Sequence, residues 1–259
     1  MVSALCPPRY LGRKFNKTLS FLLYNGKTRV QEGFFMAKYR HEWKYEISCG
    51  DFFVLRQRLS AVAERDCHAL GGVYRVRSLY FDNIRDKVLR EKLDGVNRRE
   101  KFRIRYYNDD TSWIRLEKKS KVNGLCLKDS ERITREQVQM ILDGECGWMA
   151  GSRLPLLEEF YTKITGQGLR PRIIVDYLRE PFVFGPGEVR VTLDYQIRLG
   201  MEPGDFLNPS GVTVPAGEAP FILEVKWNEF LPDIIRDALQ IPGRRAGAFS
   251  KYAACRIYG

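Results

Sequence analysis

The stretch KFRIRYYNDDTSWIRLEKKSK, residues 101–121, constrains the fold more than any other part of the chain. Taken by twos, it sets Lys101, Arg103 and Arg105 against Phe102, Ile104 and Tyr106. After an Asn-Asp-Asp turn, Arg115, Glu117, Lys119 and Lys121 oppose Ile114 and Leu116. A period of two belongs to a β-strand with two unlike faces. The pattern recurs with Glu42, Lys44 and Glu46, with Arg75 and Arg77, with Arg190, Thr192, Asp194 and Arg198, and with Glu224 and Lys226. A face merely open to water needs no excess of one sign, and like charges on adjacent strands repel one another. A cation-rich face spread over several strands therefore implies an anionic partner. Closing the sheet would place that face inside a barrel, where low dielectric makes unpaired charge costly and a polyanion strongly held.

The net charge of +11 over 259 residues points the same way, and Lys and Arg are spread along the chain rather than gathered in a tail. Six scattered cysteines show no CxxC pair or zinc spacing, and read as reduced thiols of a cytoplasmic protein. Two distant histidines argue against a histidine metal site or triad. No apolar run reaches the roughly 18 residues that span a bilayer. Residues 1–35 lack periodicity and read as a poorly packed N-terminal extension, with the functional domain covering 36–259.

Strands are expected at 39–48, 73–81, within 101–121, at 125–133, 172–184, 188–199 and 221–227. Helices are expected after Gly50 or Asp51, from Thr134, at 154–165, 232–240 and 250–258. This is an α+β domain, an eight-stranded antiparallel β-barrel with surrounding helices. One irregularity stands out. Tyr177 and Arg179 share parity with the apolar Ile173 and Val175, so either a bulge intervenes or the strand phase is offset.

The ordered series EWKYEIS, YRVRSLYFDN, LREKLDG, KFRIRYY, IRLEKKSK, RPRIIVDYLREPF, VRVTLDYQIR, ILEVKW and SKYAACRIY resembles the catalytic domain of the vacuolar transporter chaperone (VTC) polyphosphate polymerases, within the triphosphate tunnel metalloenzymes. The resemblance implies a tunnel of eight strands lined by Lys and Arg, and a divalent metal, Mn or Mg, held by glutamate. It implies catalytic roles for Lys44, Arg103, Arg105, Lys119, Arg179, Arg190 and Lys251. Arg90, Lys128, Tyr177, Lys226 and Ser250 are implied as phosphate ligands. Glu224 is implied as metal ligand, with Glu117 either a secondary ligand or a partner that orders Lys119.

The activity implied is transfer of the γ-phosphoryl of ATP or another nucleoside triphosphate to a growing polyphosphate. Such chemistry needs positioning and positive charge more than covalent help. An inorganic triphosphatase or a non-catalytic polyphosphate-binding module are the alternatives. The order Glu42, Lys44, Glu46 departs from the Glu-x-Glu-x-Lys start of the hydrolases. Nucleic acid is disfavoured because the aromatics fall mainly on apolar faces. Membrane export would fall to a separate partner, and the sequence gives no oligomeric state. Trp113 and Trp227 are expected to pack rather than to stack on a base.

Overall fold

The structure is a computed structural model and describes residues 40–122, 125–217 and 221–257. The expected extension over residues 1–35 and the domain start near Met36 lie outside the described residues. Ten strands form one antiparallel sheet: β1 (His41–Ile47), β2 (Glu64–Arg65), β3 (Tyr74–Asp82), β4 (Arg99–Tyr107), β5 (Asp110–Val122), β6 (Leu125–Ile133), β7 (Arg170–Phe184), β8 (Val189–Gly200), β9 (Val214–Pro215) and β10 (Phe221–Trp227). Six helices accompany it: α1 (Cys49–Val62), α2 (Lys87–Leu93), α3 (Arg135–Leu142), α4 (Pro155–Gln167), α5 (Asp233–Ala238) and α6 (Lys251–Ile257). The main path runs β1-β10-β8-β7-β3-β4-β5-β6, eight strands as the alternation predicts, with β2 and β9 as short additions.

Side-chain contacts show that this sheet is curled. Five strands separate β1 from β5 in the sheet order. At about 4.8 Å per strand, a flat sheet would hold them roughly 30 Å apart. Yet Lys119 Nζ of β5 lies 3.0 Å from a carboxylate oxygen of Glu42 on β1. The curl is a half-barrel. Among the described residues no ladder joins β1 to β6, and the backbone N–H of Gly247 donates to Lys44 O of β1 at 2.8 Å.

Local sequence explains the joints. The β4–β5 hairpin turns on Asn108 and Asp109, both at positive φ (50° and 58°), the geometry of a two-residue primed turn. Helix α1 starts two or three residues earlier than the sequence suggests. Ser48 is its N-cap and Asp51 the reciprocal partner of a capping box. Thr134 and Gln137 make the same box for α3. Gly187, at φ 72° in the β7–β8 turn, has the Phe230 carbonyl 2.4 Å from where a Cβ would stand, so only glycine fits.

The apolar faces divide into three clusters. Phe102, Ile104 and Leu116 on the outside of the curl pack against α3 and α4 through Val138, Ile141 and Phe160. Leu193, Leu223 and Val225 pack outward onto α1 and α5 through Leu55, Leu59 and Ile235. Each such fully buried side chain contributes about 1.5–3 kcal/mol. The third cluster lies inside. Ile173, Val175, Ile197 and Leu199 meet Tyr252 and Cys255 of α6, which plugs part of the curl. The parity puzzle at Ile173 and Val175 is thereby answered: the phase is regular, and the inner face of β7 is apolar under α6 and charged beyond it. No helix among the described residues is long and apolar enough to cross a membrane.

Candidate functional site: a cationic tunnel

The charged part of the inner face is built from β1, β3, β4, β5, β6, β7, β8 and β10, with α6 contributing one ammonium. At its centre Arg179 donates to Asp194 through Nε at 2.6 Å and Nη2 at 2.7 Å, and Nη2 also reaches Glu224 at 3.3 Å. Lys251 Nζ is 2.6 Å from the same Asp194 and 4.7 Å from the centre of the Tyr177 ring. Asp194 is fully buried. Burial alone would raise its carboxyl, but Arg179 and Lys251 outweigh burial and hold it below the usual carboxylate range.

A second group surrounds Glu117 on β5. Arg103 donates through Nε to one carboxylate oxygen at 2.7 Å, while Lys128 Nζ takes the other at 2.5 Å. Arg103 also donates to Tyr80 Oη at 3.0 Å, and Arg105 donates to Ser78 Oγ at 2.9 Å and Tyr177 Oη at 3.2 Å. The odd acidic residue among the lysines therefore orders Arg103 and Lys128. Lys119 turns instead to Glu42.

The third group joins β1 to β10, where the register sets Lys44 opposite Glu224 and Glu42 opposite Lys226. Lys226 Nζ lies 2.8 Å from Glu224 and 3.7 Å from Glu42. Lys44 lies 3.4 Å from Glu42 and 3.8 Å from Glu224. Against burial, Lys226 and Lys44 keep the Glu224 carboxyl well below the carboxylate range. Two carboxylates sharing two ammoniums form a hard oxygen donor set that fits a divalent cation such as Mg²⁺, with phosphate oxygens supplying further ligands. Glu117 fits that role less well: Arg103 and Lys128 take its two oxygens at 2.7 and 2.5 Å, closer than any cation approaches Glu224 among the described residues.

Arg190 sits near one end, donating to Tyr74 Oη at 2.9 Å and lying 2.8 Å from Asp66. Beside the plug, a cavity of about 170 Å³ opens between α2, β4, β5 and the segment leading into α6. Lys44, Lys92, Arg99, Lys101, Lys119 and Lys121 line it, and Ser250 and Tyr252 edge it. Thus Lys44, Arg103, Arg105, Lys119, Lys128, Tyr177, Arg179, Lys226, Lys251, Glu117 and Glu224 converge on the interior. Arg90 does not: it is exposed on α2, and Lys92, two residues on, is the α2 cation at the cavity.

One expected member of the charged face leaves it. Gln196, at φ 50°, marks a bulge where three residues of β7, Asp176 to Leu178, span four of β8, Arg198 to Tyr195. The extra residue reverses the parity of β8, so Ile197 and Leu199 enter the interior and Arg198 bonds Thr213 instead, Nε to Oγ1 at 2.8 Å. Arg75 and Arg77 are likewise outside the tunnel, both paired with Asp176. Trp227 packs as expected, buried against His41 and Trp43. Trp113 is exposed and covered by the Arg132 guanidinium. Glu42, Asp194, Tyr80 and Lys101 join the site beyond those assigned from sequence. In-phase alternation marked Glu42, Lys101 and Asp194, while the opposite parity of Arg75 and Arg77 marked the inward place of Tyr80.

The VTC domain family model matches residues 39–257. The chain belongs to the VTC domain family. Among solved structures, this VTC domain is similar to a candidate adenylate cyclase of Bacillus halodurans, with 12% identity, a TM-score of 0.47, and coverage of 75% of this chain and 83% of that one. It is also similar to the PH1012 protein of Pyrococcus horikoshii, with 12% identity, a TM-score of 0.44, and coverage of 82% and 96%. At this level neither likeness bears on ligand or activity. No curated protein matches the chain closely enough to count as a relative. Membership in the VTC domain family, with the curled cationic tunnel, supports an enzyme activity directed at triphosphates.

Proposed function

We propose that the protein transfers the γ-phosphoryl group of a nucleoside triphosphate, such as ATP, to a phosphate acceptor and so builds inorganic polyphosphate within the tunnel. One observation carries the reading. The tunnel's arginines and lysines are held by a smaller set of carboxylates, chiefly the buried Asp194, Glu117 and Glu224 and the half-buried Glu42, each shared between two or more cations. An interior so arranged carries surplus positive charge at fixed positions, which matches a chain of phosphates rather than a single anion.

In this reading Arg103, Arg105 and Arg179 grip phosphate oxygens in pairs, since the planar guanidinium matches phosphate geometry. Lys44, Lys119, Lys226 and Lys251 act as point charges along the chain, with Lys128, Tyr177 and Ser250 as further contacts and Arg190 guarding one end. Glu117 holds Arg103 and Lys128 in place. Glu224, with Glu42 beside it, would hold Mn²⁺ or Mg²⁺, which supplies charge neutralisation at the transferring phosphoryl group. A phosphate acceptor needs no strong general base.

The test is incubation with ATP and Mn²⁺ or Mg²⁺, with polyphosphate and orthophosphate assayed separately. Polyphosphate chains are the expected product. Orthophosphate alone would assign hydrolysis instead, and neither product despite tight polyphosphate binding would assign a binding module. Glu224→Gln should abolish metal-dependent turnover, a loss of at least about 100-fold, while thermal melting stays close to wild type. Unchanged turnover in that variant would remove Glu224 from the site.

A further inference from the structure

Lys101 differs from the ion-paired lysines of the interior and, among the described residues, shares its lack of a carboxylate partner with Lys92 and Lys121 at the cavity. Lys44, Lys119, Lys128, Lys226 and Lys251 each have a carboxylate within 4.0 Å. Lys101 has none among the described residues, and its Nζ stands 5.5 Å from the centre of the Tyr80 ring. It lines both the cavity at the mouth and the smaller pocket beside Arg103, Glu117 and Lys128, so it stands where the open cavity meets the ion-paired interior.

What faces it is nearly all positive. Lys119 is its register partner on β5, Arg103 lies two residues along β4, and Lys44 approaches from β1. From α2 comes Lys92, and the nearby carboxylate of Glu42 is engaged by Lys44 and Lys119. Glu100, its neighbour in sequence, is held by Lys118 and Lys163. Tyr80 on β3 donates no countercharge while its phenol is neutral. An ammonium placed here repels its cationic neighbours with no carboxylate to offset them, which weakens its hold on the proton.

We propose that Lys101 is a phosphate-binding group at the inner wall of the mouth that gains its proton as the polyanion arrives, so that loading the tunnel is proton-coupled. The inference rests on the reading of the tunnel as a phosphate-chain site. The amine nitrogen takes one proton from solvent and forms no covalent bond; the arriving phosphate oxygens supply the countercharge that the protein withholds. The electrostatics agree with this geometry. Burial, then the Lys119, Arg103 and Lys44 charges, bring Lys101 down to about 7 against the opposing pull of the Tyr80 phenolate. The Tyr80 phenol, which burial would raise, is also brought to about 7 by Arg103 and Lys101. These two groups therefore share protons near neutrality.

The sign follows directly. A group whose pKa rises on binding makes affinity fall as pH rises through its free value, here from about pH 6 to 8. Titration calorimetry with metal-free tripolyphosphate, in two buffers of different ionisation enthalpy, reads the protons taken up. The terminal phosphate's own proton is common to every variant, so the difference between variants reports Lys101 together with the Tyr80 phenol that shares its proton. At pH 7 the wild type should take up about half a proton more than Lys101→Arg, whose guanidinium stays charged. The affinity of the wild type relative to Lys101→Arg should fall about tenfold between pH 6 and 8. Lys101→Met should also lose the extra proton while binding more weakly, and thermal melting checks that both variants fold.

Equal proton uptake in the wild type and both variants overturns the proposal alone. No binding of tripolyphosphate by the wild type overturns both the proposal and the functional reading. Proton-coupled binding without polyphosphate synthesis would keep Lys101 in this role and overturn only the polymerase.

Discussion

Arg77 and Arg179 lie on adjacent strands, β3 and β7, and each grips an aspartate that is almost entirely buried. On the outer face, Arg77 donates Nε and Nη2 to Asp176 at 3.0 Å, and its remaining Nη1 goes to the carbonyl of Asn208. Arg75 adds a second guanidinium to Asp176 at 2.7 Å. This pair is closed: the Arg77 side chain is 1% exposed and its donors are spent on the protein itself. On the inner face, Asp194 divides its oxygens between Arg179 and Lys251, and Arg179 also touches Glu224. The same two side-chain types thus serve two ends. Where backbone carbonyls complete the guanidinium, the pair fixes a loop onto the sheet. Where the guanidinium lies among other cations with no backbone carbonyl to complete it, the pair leaves charge that an incoming anion can claim.

Breaking each pair should separate the two roles. Arg77→Met leaves Asp176 with only the half-exposed Arg75 and should cost about 3–5 kcal/mol in unfolding free energy, read as a fall in the urea midpoint. A loss near zero would mean that the outer pair is not structural. Arg179→Met should act the other way. Asp194 keeps Lys251 and Glu224 keeps Lys226, so stability should fall by only about 1 kcal/mol. Tripolyphosphate affinity should drop about 100-fold, the scale expected when a buried charge partner is lost. A variant that instead unfolds as readily as Arg77→Met would place Arg179 with the structural pairs. The smallest effect is expected at Arg90, exposed on α2. Arg90→Ala should stay within about 0.5 kcal/mol of wild type in stability and within about threefold in affinity. A large affinity loss would show that Arg90 reaches the ligand from its exposed place on α2.

Much of this division was legible in the sequence, because side-chain alternation reports which residues share a face. Lys101 to Arg105, Arg115 to Lys121 and Arg190 to Asp194 all kept the parity that alternation assigns them. What alternation cannot report is a change of count. The bulge at Gln196 inserts one residue into β8, and Arg198 is carried to the opposite face without any break in the pattern of residue types. Nor does a period of two say what covers a face. Ile173 and Val175 looked misplaced among inward-facing residues until α6, some 75 positions later in the chain, proved to supply the apolar surface they need. Arg90 and Lys92 show the matching limit for short helices: in a helix of seven residues, which cation meets the cavity depends on docking, and docking here is fixed from outside α2. The carboxylate of Asp82 accepts the N–H groups of Val88 and Leu89 and the hydroxyl of Tyr252 at once.

That last joint has a kinetic consequence. The ammoniums of Lys44 and Lys251 serve one tunnel from opposite ends of the described chain, and the Lys44 carbonyl is bonded by Gly247. Contacts so distant along the chain carry a large loop-closure entropy, and domains dominated by them fold slowly. Strands β3 to β6 can pair early, since each is joined to the next in sequence order. The half of the tunnel that holds Glu42, Lys44, Glu224 and Lys251 must wait for β1, β10 and α6 to find one another, so this part of the cationic interior is completed late in folding.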